Sequence, residues 1–158
     1  MPRGSPHTGR RAGSHDADGA RAVTDLRTVT FSVRGTPVPQ GSAKPFIAGG
    51  RARLATRSAP LMAWRTAIAT AAGAAMGDRP VMTGPVHVRA TFHLQRPASA
   101  PKRVTVPATR PDLDKLLRAL LDGITGVVIV DDARVVSVMA HKVFGPGPGV
   151  VVTVEEAA

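Results

Sequence analysis

Residues 86–94, VHVRATFHL, alternate apolar and polar side chains without a fault, the period of a strand with one buried face. Val86, Val88, Ala90, Phe92 and Leu94 take the inward positions; His87, Arg89, Thr91 and His93 take the solvated ones. Solvation accounts for these histidines, so no metal role is read into them. A strand of this kind needs neighbours along its edges and a layer over its apolar face, which the rest of the chain must supply. TVTFSVRG (28–35) repeats the alternation, with Val29, Phe31 and Val33 inward. VVIV (127–130) is short and wholly apolar, the pattern of a buried strand. ARVVSVMAHKVF (133–144) and VVVTVEE (150–156) read as two further strands joined by the turn GPGPG.

The covering layer is helical. A helix is expected from about Ala59 to Met76, with Ser58 as N-cap, Pro60 in the first turn and Gly77 as its stop. Leu61, Trp64, Ile68, Ala71 and Ala75 share one face of it. A second helix, from about Asp112 to Gly123, shows Leu113, Leu116, Leu117, Leu120, Leu121 and Ile124 recurring at threes and fours. Two Pro-rich basic loops, TPVPQGSAKPFIAGGRARLATR (36–57) and QRPASAPKRVTVPATRP (95–111), precede the helices, the first with room for a hairpin at Gly49-Gly50. The sum is an α+β fold: one small domain over 28–158, a mixed β-sheet with two main helices packed on it. Residues 1–27, poor in apolar side chains, read as a disordered basic tail.

Charge divides the chain sharply. Residues 28–111 carry ten Arg and two Lys against Asp78 alone, whereas 112–132 carry five of the 11 acidic residues against Lys115 and Arg118. A formal net charge of +10 implies a polyanionic partner, nucleic acid before membrane, since no basic amphipathic helix is present. No apolar run approaches the roughly 20 residues of a membrane span, and the N-terminal stretch lacks a signal peptide's apolar core, so an intracellular location is expected. Without cysteine there is no disulfide, thiolate metal site or cysteine nucleophile.

The acids are the exception in this basic chain. Asp112 and Asp114 open the second helix, Asp122 sits near its end, and Asp131 and Asp132 follow VVIV. Helix capping, first-turn acids and the i,i+4 pairs Asp114–Arg118 and Arg118–Asp122 account for part of this pattern. If the Asp-Asp end of VVIV lies beside the helix start, the carboxylates meet at one sheet edge. Crowded carboxylates repel unless a cation joins them. Oxygen donors without His or Cys favour Mg²⁺, with Mn²⁺ possible. A carboxylate-held cation between basic loops is the arrangement that phosphodiester hydrolysis requires. Lys44, Arg51, Arg53, Arg57, Lys102, Arg103 and Arg110 are, as a group, the candidates for phosphate contact. With no Tyr, and Trp64 reading as core, a base-stacking platform is not indicated. The alternative is a non-catalytic nucleic-acid-binding protein whose acids only cap a helix, and a nuclease for flaps or plain duplex is a further one.

RPDLDKLLRALLDGITGVVIVDDARVV (110–136) resembles the signature of the RusA-type Holliday junction resolvases, D-x-D opening a helix and D-D-A before a strand. GTPVPQGSAKPF (35–46) and VFGPGPGVVVTVE (143–155) are similar to phage-type members of that family. The resemblance covers roughly 28–156. It implies a homodimeric endonuclease that makes paired, ligatable nicks in four-way or branched DNA with Mg²⁺, in recombination and repair. It also implies that Asp112, Asp114 and Asp132 are the catalytic, metal-binding acids, with Asp131 the neighbour of the third. The family's lysine, four residues after the second acid, falls on Arg118, which keeps the charge but cannot give up a proton. Arg118 or Lys115 is then expected to position phosphate, and Lys115 or Lys142 to supply any titrating amine.

Overall fold

The perfectly alternating segment is β4 (Val86–Leu94), an inner strand of a four-stranded sheet. The computed structural model describes residues 28–41, 44–55 and 58–157, without the side chains of 44–48 and 52–55. The tail 1–27 and Arg57 lie outside the described residues. Together with β1 (Thr28–Arg34), β5 (Val135–Phe144) and β6 (Gly149–Glu156), the strand order is β1-β6-β4-β5. β6 pairs antiparallel with both β1 and β4, while β4 and β5 run parallel from Val86↔Val135 to Leu94↔Phe144. β5 follows β4 in the chain among these four, yet a parallel partner cannot be reached by a tight turn. The connection must cross a face of the sheet, and a helix does so.

That helix is α2 (Leu113–Ile124), packed beside α1 (Ala59–Met76) on the inward face. Ser58 caps α1 by accepting the Leu61 N–H at 3.4 Å, as expected. The buried line of α1 is Leu61, Trp64, Ile68, Ala72 and Met76, so the expected stripe slips by one residue beyond Ile68. From Trp64 the buried residues follow a single i,i+4 row, which drifts around the helix, and Ala71 and Ala75 flank the core half-buried. The helices approach closely at Gly123, where a Cβ would stand 2.8 Å from Ile68 Cγ2. The core of the sheet and helices includes Phe92, Ile68, Leu116, Leu120 and Ile124, all essentially inaccessible. These elements form one α+β domain with a mixed sheet, as the sequence predicts.

Two local expectations resolve differently. The hairpin does form: β2 (Lys44–Ala48) and β3 (Arg51–Ala55) pair antiparallel around Gly49 and Gly50, both at positive φ, the two-residue turn that glycine permits. VVIV is not a strand. Val127 and Val128 still donate to Ile124 O, Gly126 turns at φ 79°, and among the described residues pairing is limited to isolated bridges of Ile129 with Thr125 and Met82, the latter through Met82 N–Val128 O at 2.8 Å and Val130 N–Met82 O at 3.0 Å. The chain must reverse immediately after α2, which leaves no length for a ladder; burial of Val128 and Ile129 satisfies the apolar run instead. Asp131 and Asp132 therefore open a short 3₁₀ turn, Asp132–Arg134, that leads into β5.

The topology defines two rims. The C-terminal ends of β4 and β5, the loop 95–111 and the start of α2 share one. The end of α2, Met82, Asp131 and the start of β5 share the other. β5 is an edge strand, and among the described residues no strand pairs with its outer side. Val136, Val138 and Met139 on it are 59%, 41% and 58% exposed, a large apolar exposure for one strand.

Candidate active site

Asp112 holds the N-cap position of α2 with extended backbone angles, φ −71° and ψ 136°. An acid placed there as a cap accepts a backbone N–H two or three residues on. This carboxylate makes no such bond; it accepts from Lys115 Nζ at 2.6 Å. Capping therefore does not account for Asp112. The Lys115 hydrogen bond first, then the Lys115 charge, hold its carboxyl below the ordinary carboxylate value, and Arg110 and Lys142 act in the same direction. Asp114, two residues on, is exposed, and its side chain makes no hydrogen bond or ion pair with any described residue. One end of the helix thus presents two carboxylates whose oxygens are not used by the backbone.

The rim is held by contacts the sequence does not advertise. Lys142, on β5, donates to Thr109 O and Pro111 O, each at 2.8 Å, and fastens the end of the basic loop to the sheet. Its role here is structural, with a charge directed toward Asp112. On the opposite side Gln40 N donates to Lys115 O at 3.0 Å, seating the GTPVPQG segment on the first turn of α2. Gln40 Oε1 accepts from Arg65 of α1 at 2.5 Å, and Arg65 also pairs with Asp122. Arg65 and Gln40 are missed by spacing arguments, because partners 25 and 57 residues away leave no local period.

The expected pairs Asp114–Arg118 and Arg118–Asp122 do not form. Arg65 is 15% exposed, so its charge has more to gain from a carboxylate than exposed Arg118 has, and Asp122 turns to Arg65. Arg118 is left exposed on the outer face of α2 without an ion pair among the described residues. Replacing Asp122 by Ala is expected to lower the unfolding free energy by about 1 kcal/mol. Arg118→Ala, with no partner to lose, should stay within about 0.5 kcal/mol. Urea unfolding midpoints of the two variants check the pair.

Asp131 and Asp132 divide into two roles. Asp131 accepts the Ala133 N–H at 2.8 Å and so caps the 3₁₀ turn. Asp132 is exposed, with no side-chain partner among the described residues. Neither lies beside α2's start. Val135 to Lys142 is seven residue steps along β5, roughly 23 Å at about 3.3 Å each, and the two acid sets sit beyond opposite ends of that span. The meeting of the two acid pairs at one sheet edge is not found within a chain. Among the described residues no group of three Asp, Glu or His converges.

The donor chemistry of Asp112 and Asp114 nevertheless suits a hard cation. Mg²⁺ commonly takes one or two carboxylates and completes its shell with water and phosphate oxygens. The adjoining loop is basic, with Arg110, Lys102 and Arg103 exposed on it, and elsewhere Arg51 is exposed at the turn of the β2–β3 hairpin. The backbone of Lys44 and Arg53 belongs to the same hairpin. No helix among the described residues is long and apolar enough to cross a membrane.

Comparison with known proteins points the same way. The sequence pattern described as Endodeoxyribonuclease RusA matches residues 35–155. A Bacillus subtilis (strain 168) protein, described as Uncharacterized protein YqaN, is 25% identical over 140 residues, covering 82% of this chain and 97% of that one.

Proposed function

The chain belongs to the RusA endodeoxyribonuclease family, and from that premise we propose that it is a Mg²⁺-dependent endonuclease that resolves four-way DNA junctions by paired nicks. The observation that carries this reading is the Asp112 carboxylate, placed at a helix start yet not capping it, beside an unpartnered Asp114. Asp112 and Asp114 would hold the ion, with Mn²⁺ as a substitute. When bound, such an ion polarises the scissile phosphate and acidifies a water molecule. Lys115 keeps Asp112 ionised and aimed at the rim, and its ammonium is placed to reach phosphate oxygen once that carboxylate has another partner. Arg118, free on the same helix, contacts the DNA backbone as a fixed charge. Lys102, Arg103, Arg110 and the basic hairpin track phosphates on either side, giving salt-dependent and largely sequence-independent affinity.

Asp132 completes the site from a second copy. Its separation from the start of α2 along β5 favours this over completion in cis, and β5 offers both an edge unpaired among the described residues and exposed Val136, Val138 and Met139 for pairing with itself. Two β5 strands related by a two-fold axis near Ser137 run antiparallel, and each Asp132 then lies opposite the other copy's Lys142. A dimer built this way carries two equivalent sites, which is what symmetric nicking of a four-way junction asks for.

The test is cleavage of a synthetic fixed junction and of a linear duplex of the same arm sequence, at matched salt with Mg²⁺. Symmetric nicks in the junction, at least tenfold slower duplex cleavage and silence in EDTA are expected. Equal cutting of the duplex, or an uncut junction, overturns the reading.

A further inference from the structure

On the rim that carries Asp112, a cleft of about 200 Å³ opens between the end of the sheet and the loop 95–111. Leu94, Phe144 and Pro111 supply apolar wall, and Gln95, Thr109 and Arg110 supply polar groups. The fold explains why the cleft exists. The loop leaves β4 after Leu94 and returns at Thr109, where Lys142 fastens it, so it arches over the rim instead of collapsing on it. Arg96 stiffens the arch by donating to Val104 O at 2.5 Å and Pro101 O at 2.7 Å, with its guanidinium 5.5 Å from the Phe144 ring centre. The space is therefore formed before any ligand arrives, which lowers the ordering cost of binding.

Its size and lining match one flat heterocycle. At roughly 30 Å³ per water the volume equals about six or seven waters, and apolar surface of this kind gains when covered. The Gln95 amide offers both donors and an acceptor, and the Thr109 hydroxyl offers one of each, the equipment for reading the edge of a base. Exposed Arg110, Lys102 and Arg103 give the surrounding surface the charge that flanking phosphates require. Two residues beyond Arg110 is Asp112, so a base in the cleft belongs to a nucleotide near the phosphate at the acid pair.

We propose that this cleft is a binding site for an unstacked nucleobase next to the scissile phosphate, and that Gln95 and Thr109 make cleavage base-selective. The assignment rests on the endonuclease reading above. Pulling a base from its stack costs a few kcal/mol in duplex and less where the stack is already interrupted. A branch point is such a place, so the cleft favours junctions for the same reason that it favours one base.

The experiment uses the full chain and fixed four-way junctions that carry each of the four bases, in turn, on either side of the cut phosphate. Wild-type cleavage rates are expected to spread by about tenfold or more across the set, as expected for a good base contact. Gln95→Ala and Thr109→Val, both at exposed positions, should compress the spread to about threefold or less with unchanged thermal midpoints. An abasic site at the favoured position should slow the wild type to the level of the variants. Equal rates for every base in the wild type, or an undiminished spread in both variants, overturns the cleft's role while leaving the nuclease reading intact. If no junction in the set is cut, the nuclease reading falls first and takes this one with it.

Discussion

Asp112→Asn and Asp114→Asn are each expected to cut Mg²⁺-dependent junction cleavage by about 10³-fold or more, while binding to the junction in EDTA stays within about twofold. The amide is nearly isosteric with the carboxylate but lacks the charge that holds a hard cation. Losing several kcal/mol of transition-state charge stabilisation, at 1.36 kcal/mol per tenfold, gives that magnitude. Binding is spared because phosphate affinity comes from the basic loops, and removing a negative charge from this rim does not weaken it. Folding is spared too, since Asn suits an N-cap position and the Asp112–Lys115 pair is substantially exposed, 44% and 37% at the two side chains. Mg²⁺ should raise the thermal midpoint of the wild type, by mass action on a site present only in the folded state, and should not raise that of either variant. Retained metal-dependent cleavage by one variant would remove its residue from the metal site. A midpoint that ignores Mg²⁺ in the wild type would remove the site itself.

How far the chain could be read without its fold depends on which interactions are local. β4 and α2 were legible because side-chain periods of 2 and 3.6 are properties of neighbouring residues. The two-residue hairpin was legible from Gly49-Gly50 for the same reason. VVIV suits a strand and a buried turn equally, because a short apolar run has no period, and its burial against Met82 depends on a contact made from outside the segment. The i,i+4 rule pairs Asp122 with Arg118, and the half-buried Arg65, on another helix, overrides it. The acid pairs show the sharpest limit. Eighteen residues in sequence separate Asp114 from Asp132, but the 12-residue helix between them carries the chain about 18 Å from one rim to the other, and β5 starts from the far one. Proximity in sequence therefore meant separation in space, and a parallel crossover, which no single segment encodes, decided it.

That separation yields the second large effect. If each site joins Asp112 and Asp114 of one copy to Asp132 of the other, two inactive variants should restore activity when combined. A dimer of one Asp112→Asn chain and one Asp132→Asn chain holds both lesions in one site and neither in the other. Purified through two different tags, this heterodimer is expected to nick a four-way junction at about half the wild-type rate, leaving a singly nicked product in place of two ligatable duplexes. Each homodimer alone should be at least about 10²-fold slower than the heterodimer, because every one of its sites lacks an acid. Sites completed in cis predict the reverse, with each site of the heterodimer damaged and no recovery on mixing. The product distinguishes a rescued site from wild-type contamination, since contaminating enzyme makes paired cuts. Recovery would place Asp132 across the interface, and an inactive heterodimer that still forms and still binds the junction would exclude the β5 pairing as the origin of the site.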